Sequence, residues 1–454
     1  MNTLTKTALA SLLTLAWSAA LPGLASGQDA PGLVRRPLSL EEAVEEALVG
    51  NPELSIAEAR RDIAGGAGKE ATAYLWPRLD AGAGYTHSVD PVFAFGTKLR
   101  QGTFTQEDLD LDALNNPDGI DDWSSFVSIS WSLLDPTSWA GRASAKSQAE
   151  AAAWSAVRVR EATVLMTRLH YYRALAASAR LGSARSAVEA AEATLDLFSR
   201  RNERGLLTDA DLLQAEAELA AAQAQQAEAE RGKLDAQQDL GLHLGWSPDT
   251  LPVPTGGLPA PAAVRGREFD ARERADVRAR AAAVDAADAA KTQASLAYLP
   301  AVDLFGRFST HAEDPFSIDG DNWTLGVALR WNLFSGFSRS ASAEQVRLQR
   351  NIARTEYERT LRNAESELSR AERAVRSAER QIEAARAAED AAERGRELMR
   401  RRFEEGLATA ADLLQAEARA TGMRERAINA LATYHMAVAQ LEFVRSQTES
   451  EDQR

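Results

Sequence analysis

The sequence predicts a mainly α-helical fold with a membrane β-barrel portion, built from two copies of one unit. Seven residues, Asp-Leu-Leu-Gln-Ala-Glu-Ala, occur at 211–217 and again at 412–418, which indicates the duplication. Two stretches without proline, Thr137–Glu203 and Ser338–Glu405, predict helices about 100 Å long at a rise of about 1.5 Å per residue. Helices of this length are typical of coiled coils. Each copy also contains two strand patterns.

The first 27 residues have the features of a signal peptide. A single basic residue, Lys6, precedes an apolar stretch from Ala8 to Leu21, and small residues follow as far as Gly27. We therefore expect the protein to be exported. The apolar stretch is shorter than the roughly 20 residues that a membrane-spanning helix needs, and no later segment is as apolar. Any insertion into a membrane would therefore use strands.

The composition argues against several functions. A formal net charge of −14 is unfavourable for nucleic-acid binding, which needs clustered Lys and Arg. The absence of cysteine excludes disulfides and a lipid-modified N-terminal cysteine. The five histidines are widely separated, and the sequence has no Gly-rich phosphate loop, nucleophile elbow or paired carboxylates in an apolar context. We therefore expect no enzyme activity, no metal site and no cofactor.

The first copy begins with a helix and continues into a strand. Ser39 and Glu42 form a capping-box pattern, which predicts a helix from Ser39 to Ala73 with a weak point at Gly65-Gly66. A strand is expected over Tyr74–Thr86. The polar, turn-rich segment Phe93–Asp122 then predicts a long loop.

The clearest strand pattern alternates apolar residues with serine over Trp123–Leu134. The second copy has strand patterns over Leu299–Thr310 and Trp323–Phe334. An apolar face toward lipid and a polar face toward water is what a membrane barrel strand requires. An ordinary half-buried antiparallel sheet would show the same alternation. Four strands are too few for a membrane barrel, whose smallest members have about 8, so several chains would share one barrel.

Each long helix is followed by a Gly-containing tip and a shorter returning helix. The returning helices are expected over Asp209–Trp246 and Ala410–Arg445, and another short helix over Glu268–Ala297 follows a Pro- and Gly-rich linker. Summed lengths predict that Asp209–Trp246 stacks on Glu268–Ala297. By the same comparison of summed lengths with the length of a long helix, Ala410–Arg445 is predicted to stack on Ser39–Ala73. The helices would then form a rod of even thickness.

The order of these elements, with Arg402-Phe-Glu-Glu-Gly-Leu-Ala-Thr-Ala-Ala-Asp412-Leu-Leu at the second tip and Leu333-Phe-Ser-Gly336 after the last strand, resembles the TolC family of outer-membrane efflux channels, the outer membrane factors. The resemblance covers essentially the whole mature chain. It implies a homotrimer with a 12-stranded β-barrel, continued by a long α-helical coiled-coil tunnel across the periplasm. It also implies a signal peptide (1–27), two efflux repeats (28–246 and 267–445), a linker (247–266) and a C-terminal tail (446–454).

The resemblance also implies functional residues at the tips. In the family, the Gly-Leu segment of each tip is where a periplasmic adaptor docks, and carboxylates just beyond it narrow the entrance. The adaptor-docking positions are Gly205, Leu206, Leu207, Gly406, Leu407 and Ala408. The entrance candidates are Asp211, Asp412, Phe403 and Gln415. Gln415 stands where some relatives have a second carboxylate, and Phe403 has no hydroxyl for a latch.

Both tip carboxylates have a structural alternative. Thr208 and Asp211, and likewise Thr409 and Asp412, have the spacing of capping boxes with Asp in place of Glu. A carboxylate in the first turn of a helix also interacts favourably with the helix dipole. An entrance role and a capping role can coexist at one residue.

The resemblance implies a passive outer-membrane exit duct of a tripartite efflux or type I secretion system. Its partners would be a periplasmic adaptor, an inner-membrane pump of RND, ABC or MFS type, and outer-membrane lipid, with no nucleic acid. The alternative is a periplasmic coiled-coil scaffold or adaptor protein that never enters the membrane. The strands distinguish the two, because serine and threonine line one face of the best strand while the other face is apolar.

Overall fold

The structure is a computed structural model that describes residues 34–262, 269–315, 317 and 320–446. The predicted signal peptide, part of the predicted linker and all but the first residue of the predicted tail lie outside the described residues.

Within the described ranges the chain forms nine α-helices and six β-strands. The helices are α1 (Leu40–Gly50), α2 (Pro52–Ala73), α3 (Pro91–Gln101), α4 (Leu111–Asn115), α5 (Pro136–Asn202), α6 (Asp209–His243), α7 (Ala275–Leu296), α8 (Ser338–Glu404) and α9 (Ala410–Val444). The strands are β1 (Val34–Leu38), β2 (Arg78–Ser88), β3 (Ile120–Leu134), β4 (Thr250–Pro254), β5 (Ala301–Ala312) and β6 (Asp321–Arg330). The predicted duplicated order of helix, two strands, long helix and returning helix is confirmed.

The two long helices confirm the prediction to within a residue or two at each end. Helices α5 and α8 each contain 67 residues, which corresponds to about 100 Å. The start of α5 is set locally: Asp135 accepts a hydrogen bond from the Thr137 amide, and Pro136 occupies the first turn, where its missing N–H is not needed. Neither helix interior contains proline, so nothing interrupts the hydrogen bonding along its length.

The returning helices stack on partners other than the predicted ones. Helix α6 ends against the start of α2, where the Asn51 side-chain amide donates to the His243 carbonyl at 2.7 Å. Helix α9 ends beside the start of α7. Arg158 of α5 contacts both ends, since it donates to the Phe443 carbonyl of α9 at 3.2 Å and lies 4.0 Å from Asp276 of α7. Each stack therefore stays within one copy. The predicted pairing was wrong because α6 and α9 both have 35 residues and α2 and α7 both have 22, so lengths fit either arrangement.

The first predicted helix is broken at a different position. The break lies between α1 and α2 at Asn51-Pro52, while Gly65 and Gly66 are inside α2. Pro52 has no N–H to continue the hydrogen bonding of α1, and Asn51 caps the new helix by accepting from the Leu54 amide at 3.1 Å. The predicted capping box of Ser39 and Glu42 at the start of α1 is confirmed.

The four strands of the two copies form one antiparallel sheet in the order β2-β3-β5-β6. Strands β2 and β6 each have one neighbour, so both sheet edges are open in the single chain. No residue of β6 is buried, and its apolar residues Leu325, Val327 and Leu329 are exposed. The apolar residues of β6 are therefore not covered by the rest of the described chain.

The predicted long loop over Phe93–Asp122 is largely helical. Asp90 caps α3 by accepting from the Phe93 amide at 2.7 Å, and Gly102, with φ of 72°, ends it. The Gln101 side chain donates to the Asp121 carbonyl at 2.8 Å, which ties the end of α3 to strand β3. The loop prediction was wrong because the Asp, Asn and Gly residues that cap short helices are also the residues that favour turns.

Part of the predicted linker is also ordered. Strands β1 and β4 pair in parallel, so that Leu38 aligns with Pro254 and Leu251 with Arg35. Leu38 and Leu251 are buried, and Leu38 belongs to a core cluster with Tyr171 of α5. The Tyr171 hydroxyl donates to the Leu38 carbonyl at 3.1 Å. This pair of strands therefore packs against the middle of α5.

Candidate functional site at the helical tips

The two tips have the same backbone geometry. Gly205 and Gly406 have φ of 68° and 76°, in the left-handed region that favours glycine. After each glycine the next amide donates back to the last turn of the long helix, Leu206 to the Arg201 carbonyl at 2.9 Å and Leu407 to the Arg402 carbonyl at 2.8 Å. This pattern is a Schellman motif, which satisfies carbonyls at the helix end. The glycines therefore shape the tips.

The predicted docking residues divide into exposed and packed positions. Leu206 and Leu407 are 66% and 63% exposed, so each tip presents one uncovered leucine to solvent. Leu207 and Ala408 instead pack against a cluster of apolar residues, the tip cluster. This cluster joins the first hairpin, formed by α5 and α6, to the second hairpin, formed by α8 and α9. The docking role stays a prediction: Gly205, Leu206, Gly406 and Leu407 are exposed, whereas Leu207 and Ala408 are partly buried.

The tip cluster is an apolar core between the hairpins. Its buried members are Phe198, Ala215, Phe403, Ala410, Leu413 and Leu414. The rings of Phe198 and Phe403 lie 5.1 Å apart, an aromatic contact within the range that stabilises a core. Phe403 was an entrance candidate, but it is 2% exposed and its ring does not face an opening. Its packing follows from pairing with Phe198 of the other hairpin, which sequence spacing does not reveal.

Arg201 fastens the first hairpin to the end of α8. Its Nη1 donates to the Phe403 carbonyl at 2.8 Å, and its Nη2 donates to the Glu404 carbonyl. The guanidinium also lies over the Phe403 ring, 4.7 Å from its centre. A cation at a helix C-terminus interacts favourably with the unpaired carbonyls there. Sequence reasoning missed Arg201, although Arg201 and Arg402 both lie four residues before a tip glycine.

Both tip carboxylates are engaged in capping boxes. Asp412 accepts from the Thr409 amide at 3.0 Å and from its hydroxyl at 2.7 Å, and the Asp412 amide donates to that hydroxyl at 3.2 Å. Asp211 makes the equivalent bonds with Thr208 at 3.1, 2.7 and 3.3 Å. The capping alternative is therefore confirmed for both residues.

Capping does not remove the charge of Asp412. The hydrogen bonds from the Thr409 hydroxyl and amide lower its pKa below the usual value, with a smaller contribution from Arg402. Asp412 is exposed, Gln415 one turn later is exposed, and Asp211 is partly exposed. These three side chains remain candidates for lining an entrance, in contrast to Phe403.

A partly buried histidine, His243, lies at the joint between α6 and α2. His243 Nε2 lies 3.3 Å from the Thr163 carbonyl and 3.0 Å from the Thr167 hydroxyl, and its Nδ1 lies 3.4 Å from the Asn51 amide nitrogen. In a neutral ring with the proton on Nε2, Nε2 can donate to the Thr163 carbonyl and Nδ1 can accept from the Asn51 amide. Desolvation by burial lowers the pKa of His243, which favours this neutral form.

Two negative observations apply to the part of the chain that the structure describes. Across the ranges that the structure covers, no three His, Cys, Asp or Glu side chains are grouped to hold a metal ion. Among the described helices, none is both long and apolar enough to cross a membrane.

Residues 43–245 and 271–444 match the family described as outer membrane efflux protein. The chain belongs to the outer membrane efflux protein family. The match spans both copies, and it confirms the resemblance to the TolC family of outer-membrane efflux channels. A curated relative is Protein CyaE of Bordetella pertussis, 29% identical over 246 residues. That alignment covers 51% of this chain, and the chain spans about half the length of the relative, 51%.

Solved structures share the fold of this chain. A membrane protein from Pseudomonas aeruginosa superposes with a TM-score of 0.78 and 21% identity, covering 90% of this chain and 93% of that one. The Campylobacter jejuni CmeC outer membrane channel gives 0.77 and 18%, covering 91% and 87%. The outer membrane protein VceC from Vibrio cholerae gives 0.75 and 21%, covering 90% and 97%. At these identities the likeness establishes the fold.

Proposed function

We propose that this outer membrane efflux protein is the outer-membrane exit duct of an efflux or type I secretion system. The observation that carries the proposal is the four-stranded sheet with an uncovered apolar face and two open edges, attached to helices about 100 Å long. An open edge in lipid leaves backbone groups unpaired at a cost of several kcal/mol each, so isolated sheets do not persist in a bilayer.

Closure of the sheet requires other copies of the chain. Three sheets of four strands would make a 12-stranded barrel, with the β2 edge of one copy paired to the β6 edge of the next. The long helices would then form a tunnel below it. We propose that the protein is a homotrimer. Each chain would be exported by means of a signal peptide at residues 1–27 and would contain two repeats, at residues 28–246 and 267–445.

The tips would face the periplasmic entrance. Leu206 and Leu407 are exposed there, and a protruding leucine is suited to an apolar groove on an adaptor protein. Asp412 adds a negative charge beside each second tip. The proposed partners are a periplasmic adaptor and an inner-membrane pump of RND, ABC or MFS type. The duct itself would supply no chemistry or energy.

The proposal is tested by location, assembly and conductance together. The full-length protein should fractionate with outer membranes, have a native mass of three copies, and produce ion conductance in planar lipid bilayers. A soluble periplasmic monomer would contradict the duct and favour the scaffold alternative. A membrane trimer without conductance would contradict the duct while retaining the barrel.

A further inference from the structure

The polar face of the four-stranded sheet, which is the face of Ser128 and Ser130, also carries a charged and an aromatic side chain. Arg307 of β5 aligns with Ser128 of β3 and with Thr324 of β6. Phe305 aligns with Ser130 in the same way. Residues directly opposite each other in an antiparallel pair point to the same side, so Arg307 and Phe305 lie on the polar face. The assignment of this face to the inside of a barrel rests on the proposed function.

Arg307 differs from the other two arginines on the polar face because it has no acidic partner. Arg78 lies 3.0 Å from Asp80, and Arg330 lies 3.1 Å from Asp303. Within the described chain Arg307 forms no ion pair, and its side chain is exposed. Each chain therefore contributes one unpaired positive charge to the middle of this face.

Two phenylalanine rings lie on the wall of the sheet on either side of Arg307. The guanidinium lies over the Phe126 ring, 3.8 Å from its centre. Phe126 aligns with Gly82, where a Cβ atom would come within 2.8 Å of the ring. Phe305 aligns with Gly326, where a Cβ atom would clash with the ring. Each ring therefore covers a glycine of the neighbouring strand and lies along the wall.

Arg307 can bind an anion while it stays stacked on Phe126. Stacking covers a face of the guanidinium and leaves N–H groups at its edge, which can donate two parallel hydrogen bonds to a carboxylate or sulfonate. Phe305 is 45% exposed and lies two residues earlier on the same strand, about 7 Å away. Its ring offers a surface on which an aromatic group can stack. We propose that Phe126, Arg307 and Phe305 form a binding site for organic anions that have an aromatic body.

Three such sites would form a belt inside the barrel. Twelve strands that are about 4.8 Å apart and tilted by about 40° close into a barrel with a backbone diameter of about 24 Å. A layer of side chains about 5 Å thick on each side leaves an opening of about 14 Å. Molecules that leave through this opening therefore pass close to an Arg307 side chain.

The acidic residue at the outer end of the polar face does not cancel this charge. Asp122 is buried and lies 3.0 Å from His311. It lies about 20 Å from Ser128 along β3, which is more than the Debye length of about 8 Å in physiological salt. The belt of Arg307 side chains therefore keeps a positive field in the middle of the barrel, whereas Asp412 is negative at the tips.

The site is tested by block of the conductance of trimers in planar bilayers. Pyrenetetrasulfonate, a flat aromatic anion, is added on the side of the barrel mouth in about 0.1 M salt. It should reduce the current of the wild type reversibly. Arg307→Gln should raise the half-blocking concentration at least about tenfold, because it removes a pair of charge-assisted hydrogen bonds. Arg307→Lys should have an intermediate effect, because lysine keeps the charge but not the planar fork.

Arg330→Gln is the matched control, since it removes the same charge from the same face. Because Arg330 is already paired with Asp303, this variant should raise the half-blocking concentration less than about threefold. Equal increases for Arg307→Gln and Arg330→Gln would show that the block depends on net charge, and this result would overturn the site.

The aromatic part of the site is tested by Phe305→Leu. This variant should raise the half-blocking concentration of pyrenetetrasulfonate severalfold, because leucine offers no ring for stacking. It should leave the block by inositol hexakisphosphate, a polyanion without aromatic rings, unchanged. Equal changes for the two probes would overturn the preference for an aromatic body.

The outcomes separate this site from the proposed function. The native mass of each variant is measured first, so that only assembled trimers are compared. Conducting wild-type trimers that pyrenetetrasulfonate does not block would overturn the binding site and leave the duct intact. A wild-type protein that forms no conducting trimer would overturn the duct and the site with it.

Discussion

At the residue scale, Asp412 combines a helix cap with an exposed negative charge. The two roles can be separated because an asparagine at this position can still accept from the Thr409 amide but carries no charge. Three copies of Asp412 around one entrance would attract cations by focusing their field in a narrow aqueous opening. The Asp412→Asn trimer should therefore assemble and show a weaker cation preference, measured as the reversal potential in asymmetric salt.

The pH dependence gives a second measurement on the same residue. The pKa of Asp412 is lowered, so its charge and its capping contribution are fully present above about pH 4 and are lost as the pH falls through the folded-state pKa. Cation preference should persist down to about pH 4. Asp211→Asn should reduce the cation preference less than Asp412→Asn does, because Asp211 is less exposed than Asp412. An unchanged reversal potential in assembled Asp412→Asn trimers would leave Asp412 as a cap alone.

Phe403 contributes packing where a gate residue was predicted. Phe403→Ala should lower the free energy of unfolding by about 3 to 5 kcal/mol, because it removes a buried ring that contacts both Phe198 and Arg201. Leu407→Ala is the control, since an exposed leucine at the same tip should change stability by about 0.5 kcal/mol or less. Chemical denaturation in detergent compares the two. Equal losses would contradict the burial of Phe403.

At the element scale, the joint between α6 and α2 depends on a neutral histidine. Protonation of His243 would place a hydrogen on Nδ1, facing the Asn51 amide that otherwise donates to it. The neighbouring charged and titratable groups are His170, stacked at 5.1 Å, with Arg173 and Asp239 near that ring. Because the pKa of His243 is lowered, its contribution to stability is complete above about pH 6.5 and is lost as the pH falls through the folded-state value.

We therefore expect the free energy of unfolding to decrease as the pH falls below about 6.5, by at most about 1.4 kcal/mol per pH unit for one proton. His243→Gln should reduce this slope. Some slope should remain, because burial also lowers the pKa of His170 and His435. Denaturant titrations at several pH values measure it, and identical slopes for wild type and His243→Gln would show that the joint is not a source of the pH dependence.

At the scale of the whole molecule, the sheet and the tips lie at opposite ends of the long helices, so the connection between β2 and β3 should lie outside the cell. This connection contains α3 and α4, whereas β5 and β6 are joined by a short segment. A peptide epitope inserted near the exposed Asn116 should be labelled by antibody on intact cells.

The matched control is an insertion in the exposed turn at Gly256-Gly257, beside the middle of the helical region. That epitope should be labelled after the outer membrane is permeabilised. Labelling of the Asn116 epitope under the permeabilised condition alone would reverse the proposed orientation.

The sequence by itself determined the features that depend on local interactions. The duplication, the two long helices, the Gly tips and the capping boxes at Ser39, Thr208 and Thr409 could be predicted, because each depends on residues a few positions apart. The apolar and polar faces of the strands followed from the alternation of their side chains. Together these local features were sufficient to suggest the family.

The tertiary structure decided which elements meet. Equal helix lengths made the stacking ambiguous, and contacts such as Asn51 with His243 resolved it. The burial of Phe403 and the bonds of Arg201 required the second hairpin to lie against the first, across about 200 residues of sequence. The pairing of β1 with β4 was hidden for the same reason. Such contacts depend on the three-dimensional path of the chain, which local residue patterns do not specify.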